Sequence, residues 1–490
     1  MRTKVEYCEL APDLRISRVL TGLWQIADME REGRTINIES AAKCMAPYVE
    51  TGFNTFDMAD HYGSAEEVAG LFRERYAKGT VHLLTKWVPN PGPKTREDVR
   101  SAVQRSLDRM RTDRLELLQL HAWNYADPSW LDCLFWLQEL KEEGLVLHLG
   151  LTNFDTAHLR IVVHSGIEVV SNQICFSLLD QRAAKGMGDL CLKRGIKILA
   201  FGTLAGGFFS ERWLGKAEPI IDENMPWSQM KYKRFIDASG GWQRFQALLR
   251  TVDGIARRRS VSIANVASRY VLEQPAVGGV ILGAHLGQSE HIKEDLRLFE
   301  FSLGEEDKSE IREVLATLNP IPGDCGDEYR KPPFLTASGD LSHHFGEIPK
   351  PYKSEPGPDG RSKVLSGTVW EDLAGFSRAV RKGNRVLVSG TTATHGHRAI
   401  GGEDPAAQTH FVIDKIEGAL MSLGSKLEEV VRTRIFVRNM SDWEPVARAH
   451  GERFRHIQPA NTLVKAELVG DEYLVEMEAE AIAGEDASGC

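Results

Sequence analysis

Between Ser17 and His285 the sequence repeats one unit eight times: a short, nearly unbroken apolar run, a turn, and a stretch of helical periodicity. The runs are SRVLTGLW (17–24), NTFDMA (54–59), VHLLTKW (81–87), LELLQLH (115–121), VLHLGLTN (146–153), VVSNQICF (169–176), IKILAFG (196–202) and GGVILGAH (278–285). The clearest helical partner is 95–110, where Val99, Val103 and Leu107 share one face and Thr95 with Asp98 predicts an N-terminal cap. Strands this continuously apolar are buried on both sides, as in a parallel sheet covered by helices. Eight units in this length of chain suit a closed (β/α)₈ barrel better than an open doubly wound sheet.

At 490 residues the chain is too long for one ordinary core. The rhythm stops near Asn319, and the following segments are rich in proline, glycine and charge, which marks a boundary. A different pattern then begins, with strands at 384–393, 430–439, 461–468 and 473–484 and helices at 404–424 and 443–457. The expected division is a barrel over 1–335, a linker over 336–366 and a small α+β domain over 367–490.

Composition narrows the functional classes. Hydrophobic residues at 42% and charged residues at 26% describe a globular chain. A net charge of −9 with mixed signs argues against nucleic acid as a partner, and no apolar run is long enough to span a membrane. The N-terminus lacks the apolar core of a signal peptide, and the 7 cysteines are scattered with no CxxC pair, so the chain reads as cytoplasmic. No metal is expected: HExxH is absent, and His343, His344, His395 and His397 have no partner at ligand spacing. No glycine loop of the Rossmann or Walker type follows any strand.

In a parallel barrel the active site lies at the C-terminal ends of the strands. Asp57 ends the second run, Lys86 the third, His121 the fourth and Thr152 with Asn153 the fifth, while Gln173 lies on the sixth. Tyr62 follows the second run on the same rim, in FDMADHYG. Singly, Asp57 and Lys86 read as a structural ion pair, His121 as a core histidine and Tyr62 as packing. Convergence of several titratable groups on one rim is what points to chemistry.

FDMADHYG, LLTKW, LLQLHAW, LGLTNFD, VSNQICFSLLD, ILAFGTLAGGFF and VILGAHLGQSEHIKEDL occur in an order and spacing that resemble the aldo-keto reductase family over residues 15–315. The resemblance implies reduction of an aldehyde, ketone or sugar-type carbonyl by a nicotinamide cofactor. Hydride attack leaves charge on the carbonyl oxygen, which needs a proton and polarising donors. Tyr62 is the implied proton donor, Lys86 the charge that lowers its pKa from about 10, Asp57 the partner that holds Lys86, and His121 the group that orients the carbonyl. Thr152, Asn153 and Gln173 would hold the carboxamide and Phe201 would stack on the ring. Leu204, Gly283, His285, Glu294 and Asp295 complete the implied cofactor site, the last two at the adenine. The family favours NADP(H). His285 stands where arginine is common, with Lys293 and Arg297 near, which keeps NAD(H) open. Trp24, Trp87 and Trp123 either wall an apolar substrate pocket or fill gaps. The long segment 209–242, rich in aromatics, reads as a lid. A nucleotide-binding sensor or assembly subunit with little turnover is the rival reading.

RKGNRVLVSGTTA, DPAAQTHFVIDKIEGAL, VVRTRIFVRNMSDW and PANTLVKAELVGDEYLVEMEAEAIAG resemble the reactive-intermediate deaminase (Rid, YjgF-like) family over 375–484. That implies a chorismate-mutase-like α+β fold, trimers, and sites between subunits. Ser389 and Glu476 stand at matching positions, but Asn461 replaces the family's carboxylate-clamping arginine and Phe376 its tyrosine. Hydrolysis of an uncharged imine, ligand binding and a trimerising scaffold all remain open, with the last two ranked first. A bifunctional reductase and imine hydrolase is the further alternative.

Overall fold

The eight apolar runs become eight parallel strands that close on themselves. The structure, a computed structural model, describes residues 4–30, 33–222, 224–287, 291–336 and 348–484. A hairpin of β1 (Tyr7–Ala11) and β2 (Leu14–Ser17) precedes the barrel strands β3 (Val19–Gly22), β4 (Thr55–Asp57), β5 (His82–Trp87), β6 (Leu115–His121), β7 (Val146–Thr152), β8 (Ser171–Cys175), β9 (Lys197–Phe201) and β10 (Val277–Gly283). Each strand pairs with the next in sequence and β10 returns to β3, a closed (β/α)₈ barrel. The expected cap is present: Thr95 Oγ1 accepts from Asp98 N at 3.2 Å, and Asp98 Oδ2 accepts from Thr95 N at 2.8 Å.

Strand parity sorts the barrel interior by height. At the N-terminal end the hairpin residues Leu10, Leu14 and Ile16 pack on Leu20, Leu84, Leu117 and Leu199, which plug the base. Two residues further along the same inward faces, Leu84 gives way to Lys86, Leu117 to Gln119 and Leu199 to Phe201. A dry leucine layer therefore supports a polar layer at the mouth.

The second domain is α+β. Its seven-stranded sheet runs β11 (Ser354–Pro356), β12 (Arg361–Val364), β13 (Ala379–Lys382), β14 (Arg385–Thr392), β19 (Val475–Ile482), β17 (Val430–Val437) and β18 (Ala460–Lys465), with only β17 and β18 parallel. A short hairpin, β15 (Thr394–His395) and β16 (Arg398–Ala399), stands apart. Helices Pro405–Ser422 and Trp443–Phe454 pack against each other, and the first lies on β14 and β19. β11 and β12 lie inside the segment expected to be a linker; their alternation is too short and proline-interrupted to read as strand, and pairing with β13 is what fixes them. His343 and His344 lie outside the described residues.

The domains are joined through helix Thr156–His164 of the barrel and helix Pro405–Ser422. His158 is buried between Asp155 (Nδ1 to Oδ1, 2.6 Å) and Asp414 (Nε2 to Oδ2, 2.9 Å), stacked on Tyr125, and Arg453 donates to Asp414 at 2.5 Å. Burial lowers the His158 pKa, but the flanking carboxylates outweigh it and the net shift is upward. Arg160 donates to Asp404 at 3.0 Å, and His395 pairs with Asp132 at 2.8 Å. Close approach at this seam requires Gly418, where a Cβ would collide with the Ala126 carbonyl oxygen. No helix among the described residues is long and apolar enough to cross a membrane.

Candidate active site

A cavity of about 370 Å³ opens at the C-terminal mouth of the barrel, a size that suits a small organic ligand. Asp57, Tyr62, Lys86, His121, Thr152, Asn153 and Gln173 all line it. β4 delivers Asp57 and β5 delivers Lys86 at neighbouring strand ends, so the ammonium donates to Asp57 Oδ2 at 2.7 Å and to the Met58 carbonyl at 2.6 Å. Burial lowers the Lys86 pKa, opposed by the Asp57 charge. The other Asp57 oxygen accepts from Gln173 Nε2 at 2.7 Å, and that amide nitrogen also reaches Gln119 Oε1 at 3.2 Å. Both Gln173 N–H groups thus have partners, and its side-chain oxygen is the group left for a ligand. Gln119 had no strand-end position to mark it.

Tyr62 follows the β4 turn, its ring centroid 4.9 Å from Lys86 Nζ and 4.9 Å from the Trp24 ring. His121 is enclosed, and burial first, then the charge of Arg330, lowers its pKa well below the ordinary value, so the ring is neutral at pH 7. Its Nδ1 faces the Thr152 carbonyl at 3.3 Å and Asn153 Nδ2 at 3.5 Å. These contacts select opposite tautomers: a proton on Nδ1 serves Thr152, whereas donation by Asn153 leaves the proton on Nε2. Nε2 is buried and has no partner among the described residues. Asn153 holds a left-handed backbone, φ 59°, and its Oδ1 is likewise buried and unpartnered.

The buried, unpartnered Asn153 Oδ1 fits a nicotinamide carboxamide. Asn153 Oδ1 and the Gln173 side-chain oxygen suit the two N–H groups of a carboxamide, and Phe201, Leu204, Gly283 and His285 line the same cavity. Burial lowers the His285 pKa, so it offers no permanent charge. Arg297 is engaged by the Ser260 carbonyl. His291 lines the cavity, but Glu294 and Asp295, on helix Ile292–Leu296, do not. Burial raises Asp295 to about 7, and Glu294 Oε1 is buried without a partner among the described residues. Residues 288–290 of this loop lie outside the described residues.

Of the three tryptophans, Trp24 and Trp123 line the cavity and Trp87 does not. Trp87 follows Lys86 on β5, so alternation turns it outward into the layer between strands and helices. The 209–242 segment divides in the same way. Trp227 and Tyr232, on helix Trp227–Ala238, reach the cavity, while Trp213, Phe235 and Trp242 pack in a core. Two further lining residues had no sequence signal as ligands: Lys231 on this helix and Tyr329 beyond the last barrel helix.

In the second domain the three expected residues do not converge within one chain. Glu476 is on the sheet face opposite the helices, beside Gly390, and Ser389 Oγ donates to the Ser377 carbonyl at 2.8 Å. Asn461, paired in register with Thr433, donates to Thr433 Oγ1 at 2.9 Å on the helix side. Burial raises the Glu476 pKa. Nearby, buried Arg378 donates to the Gly390 carbonyl at 2.7 Å, and Lys415, which donates to the Thr392 and Thr394 carbonyls, is lowered by burial to about 7.

Comparison with known proteins places both halves. Residues 18–316 match the model of the aldo/keto reductase family, and residues 370–483 match that of Endoribonuclease L-PSP. Protein tas of Escherichia coli is 26% identical over 321 residues, 57% of this chain and 90% of its own. The glycerol dehydrogenase structure from Gluconobacter oxydans is 21% identical, with a TM-score of 0.54 over 66% of this chain and 98% of its own. A YjgF/YER057c/UK114-family structure from Mycobacterium tuberculosis is 41% identical over 25% of this chain and 99% of its own, with a TM-score of 0.23.

Proposed function

Since the chain belongs to the aldo/keto reductase family through residues 18–316, we propose that it reduces an aldehyde, ketone or sugar-type carbonyl to the alcohol with NADP(H), NAD(H) being the alternative donor. The observation that carries this reading is the enclosed Lys86–Asp57 pair beneath Tyr62. A bound nicotinamide supplies hydride to the carbonyl carbon. Tyr62 gives the developing oxyanion its proton, and the nearby Lys86 charge makes the phenol a stronger acid. Asp57 keeps that ammonium in place. His121 donates from Nε2 to the carbonyl oxygen in the tautomer that Asn153 supports. Asn153, Gln173 and Thr152 orient the carboxamide. Steady oxidation of NADPH by a panel of small aldehydes and ketones tests the reading; a protein that binds NADPH and turns over none of them is instead a nucleotide sensor.

The second domain is proposed to bind ligand or to assemble the chain, in a cytoplasmic homotrimer. Its sheet face opposite the helices leaves Val464, paired in register with Phe436, exposed near one end and Leu387 and Ile482 exposed near the other, apolar groups suited to burial between copies. Sedimentation at the mass of one chain would remove the trimer.

A further inference from the structure

We propose that Lys231 and Tyr329 form an anion-binding subsite, so that the carbonyl compound reduced here carries a carboxylate or phosphate. The inference rests on the reductase reading for where the carbonyl lies. Lys231 is 6% exposed, yet it lines the cavity. Its ammonium donates to Tyr329 Oη at 2.5 Å and makes no ion pair among the described residues. The two acids grouped with it around Cys175, Asp180 and Glu328, pair with Arg182, at 2.6 and 2.8 Å, and not with Lys231, the second Glu328 oxygen being buried without a hydrogen-bond partner among the described residues. A buried ammonium without a counter-charge is costly. The rings of Tyr329 and Phe201, with centroids 4.4 and 5.0 Å away, offset part of that cost but supply no acceptor. An ammonium has three donors, and Tyr329 takes one. Lys86, the other lysine at this mouth, has its carboxylate in Asp57.

Position favours the substrate as the source of the anion. The Tyr329 ring meets His121 edge-on at 5.6 Å and Trp123 at 6.3 Å, so the lysine and its tyrosine stand beside the histidine that faces the carbonyl. Arg330, next in sequence, donates to the Ala122 carbonyl at 2.9 Å and adds positive charge behind the same wall.

The test uses the full chain and matched probes: succinic semialdehyde against butanal, and glyceraldehyde 3-phosphate against glyceraldehyde. The anionic member of at least one pair should be favoured in kcat/KM by about tenfold or more, as one charge-assisted contact allows. Lys231→Met should abolish the preference, Lys231→Arg should keep it, and NADPH affinity, read by tryptophan quenching, should change less than about twofold in either. Equal use of both members of each pair overturns the proposal. So does a Lys231→Met protein whose NADPH affinity falls as far as its anion selectivity, which would assign Lys231 to a cofactor phosphate. Binding of succinate and of inorganic phosphate to the NADPH-saturated protein is the arm independent of turnover. Lys231-dependent saturation there upholds the subsite even if no aldehyde is reduced, and its absence in both variants and wild type overturns it.

Discussion

Lys86 donates to Asp57 across 2.7 Å with both side chains almost wholly enclosed, and the remaining Asp57 oxygen is held by Gln173. The pair is therefore fixed from a further strand, β8. Removing one partner of such a pair costs more than the pair itself contributes, because the other charge stays buried. Asp57→Asn should lower stability by about 3 kcal/mol and kcat by about a hundredfold, since Lys86 loses its anchor beneath Tyr62. Denaturant unfolding and steady-state kinetics on the same preparation check both. A variant with normal kcat would mean that Asp57 is structural only.

His285 is lined up with the cavity but is neutral at pH 7 because burial lowers its pKa. His285→Arg would introduce a permanent, forked cation. The ratio of kcat/KM for NADPH over NADH should rise about tenfold. An unchanged or falling ratio would show that the 2′-phosphate, if bound, lies elsewhere.

At the domain seam both His158 nitrogens face carboxylates, which requires both to carry protons. A histidine whose pKa rises on folding contributes stability that is fully present below about 6.5 and fades as pH climbs through the folded value. Asp414, whose pKa is lowered by His158 and Arg453 against the effect of burial, loses its contribution only in acid. Thermal unfolding at steps from pH 6 to pH 9 should therefore show the advantage of wild type over His158→Gln shrinking as pH rises. A constant or growing advantage would contradict a charged His158.

How far the sequence could be read depended on whether a residue's neighbours are close along the chain. Strand β6 was legible to the residue, Leu115–His121, because a run buried on both faces and bounded by turns has no competing pattern. The rim groups Asp57, Lys86 and His121 followed from strand ends. Trp87 stays open between pocket wall and packing in the sequence because a continuous apolar strand hides its own parity: nothing local says that Lys86 points in and Trp87 out. Lys231 and Tyr329 become ligand-facing only through the closed barrel and the chain that follows it, and Gln119 reaches the site only through Gln173. β11 and β12 were read as linker because they acquire strand character only by pairing with β13. The contrast between Glu476 and Asn461 arises from register, which places them on opposite sheet faces.

Tyr62 is the proposed proton donor to the carbonyl oxygen during hydride transfer. Stopped-flow absorbance at the NADPH band, with enzyme and NADPH premixed and then combined with an aldehyde that wild type reduces, reads that step directly. The wild type should show a rapid loss of NADPH. In Tyr62→Phe the same phase should be slower by about a thousandfold or more, as for loss of a general acid, while NADPH binding stays within about twofold. A Tyr62→Phe protein that consumes NADPH at the wild-type rate would contradict the account.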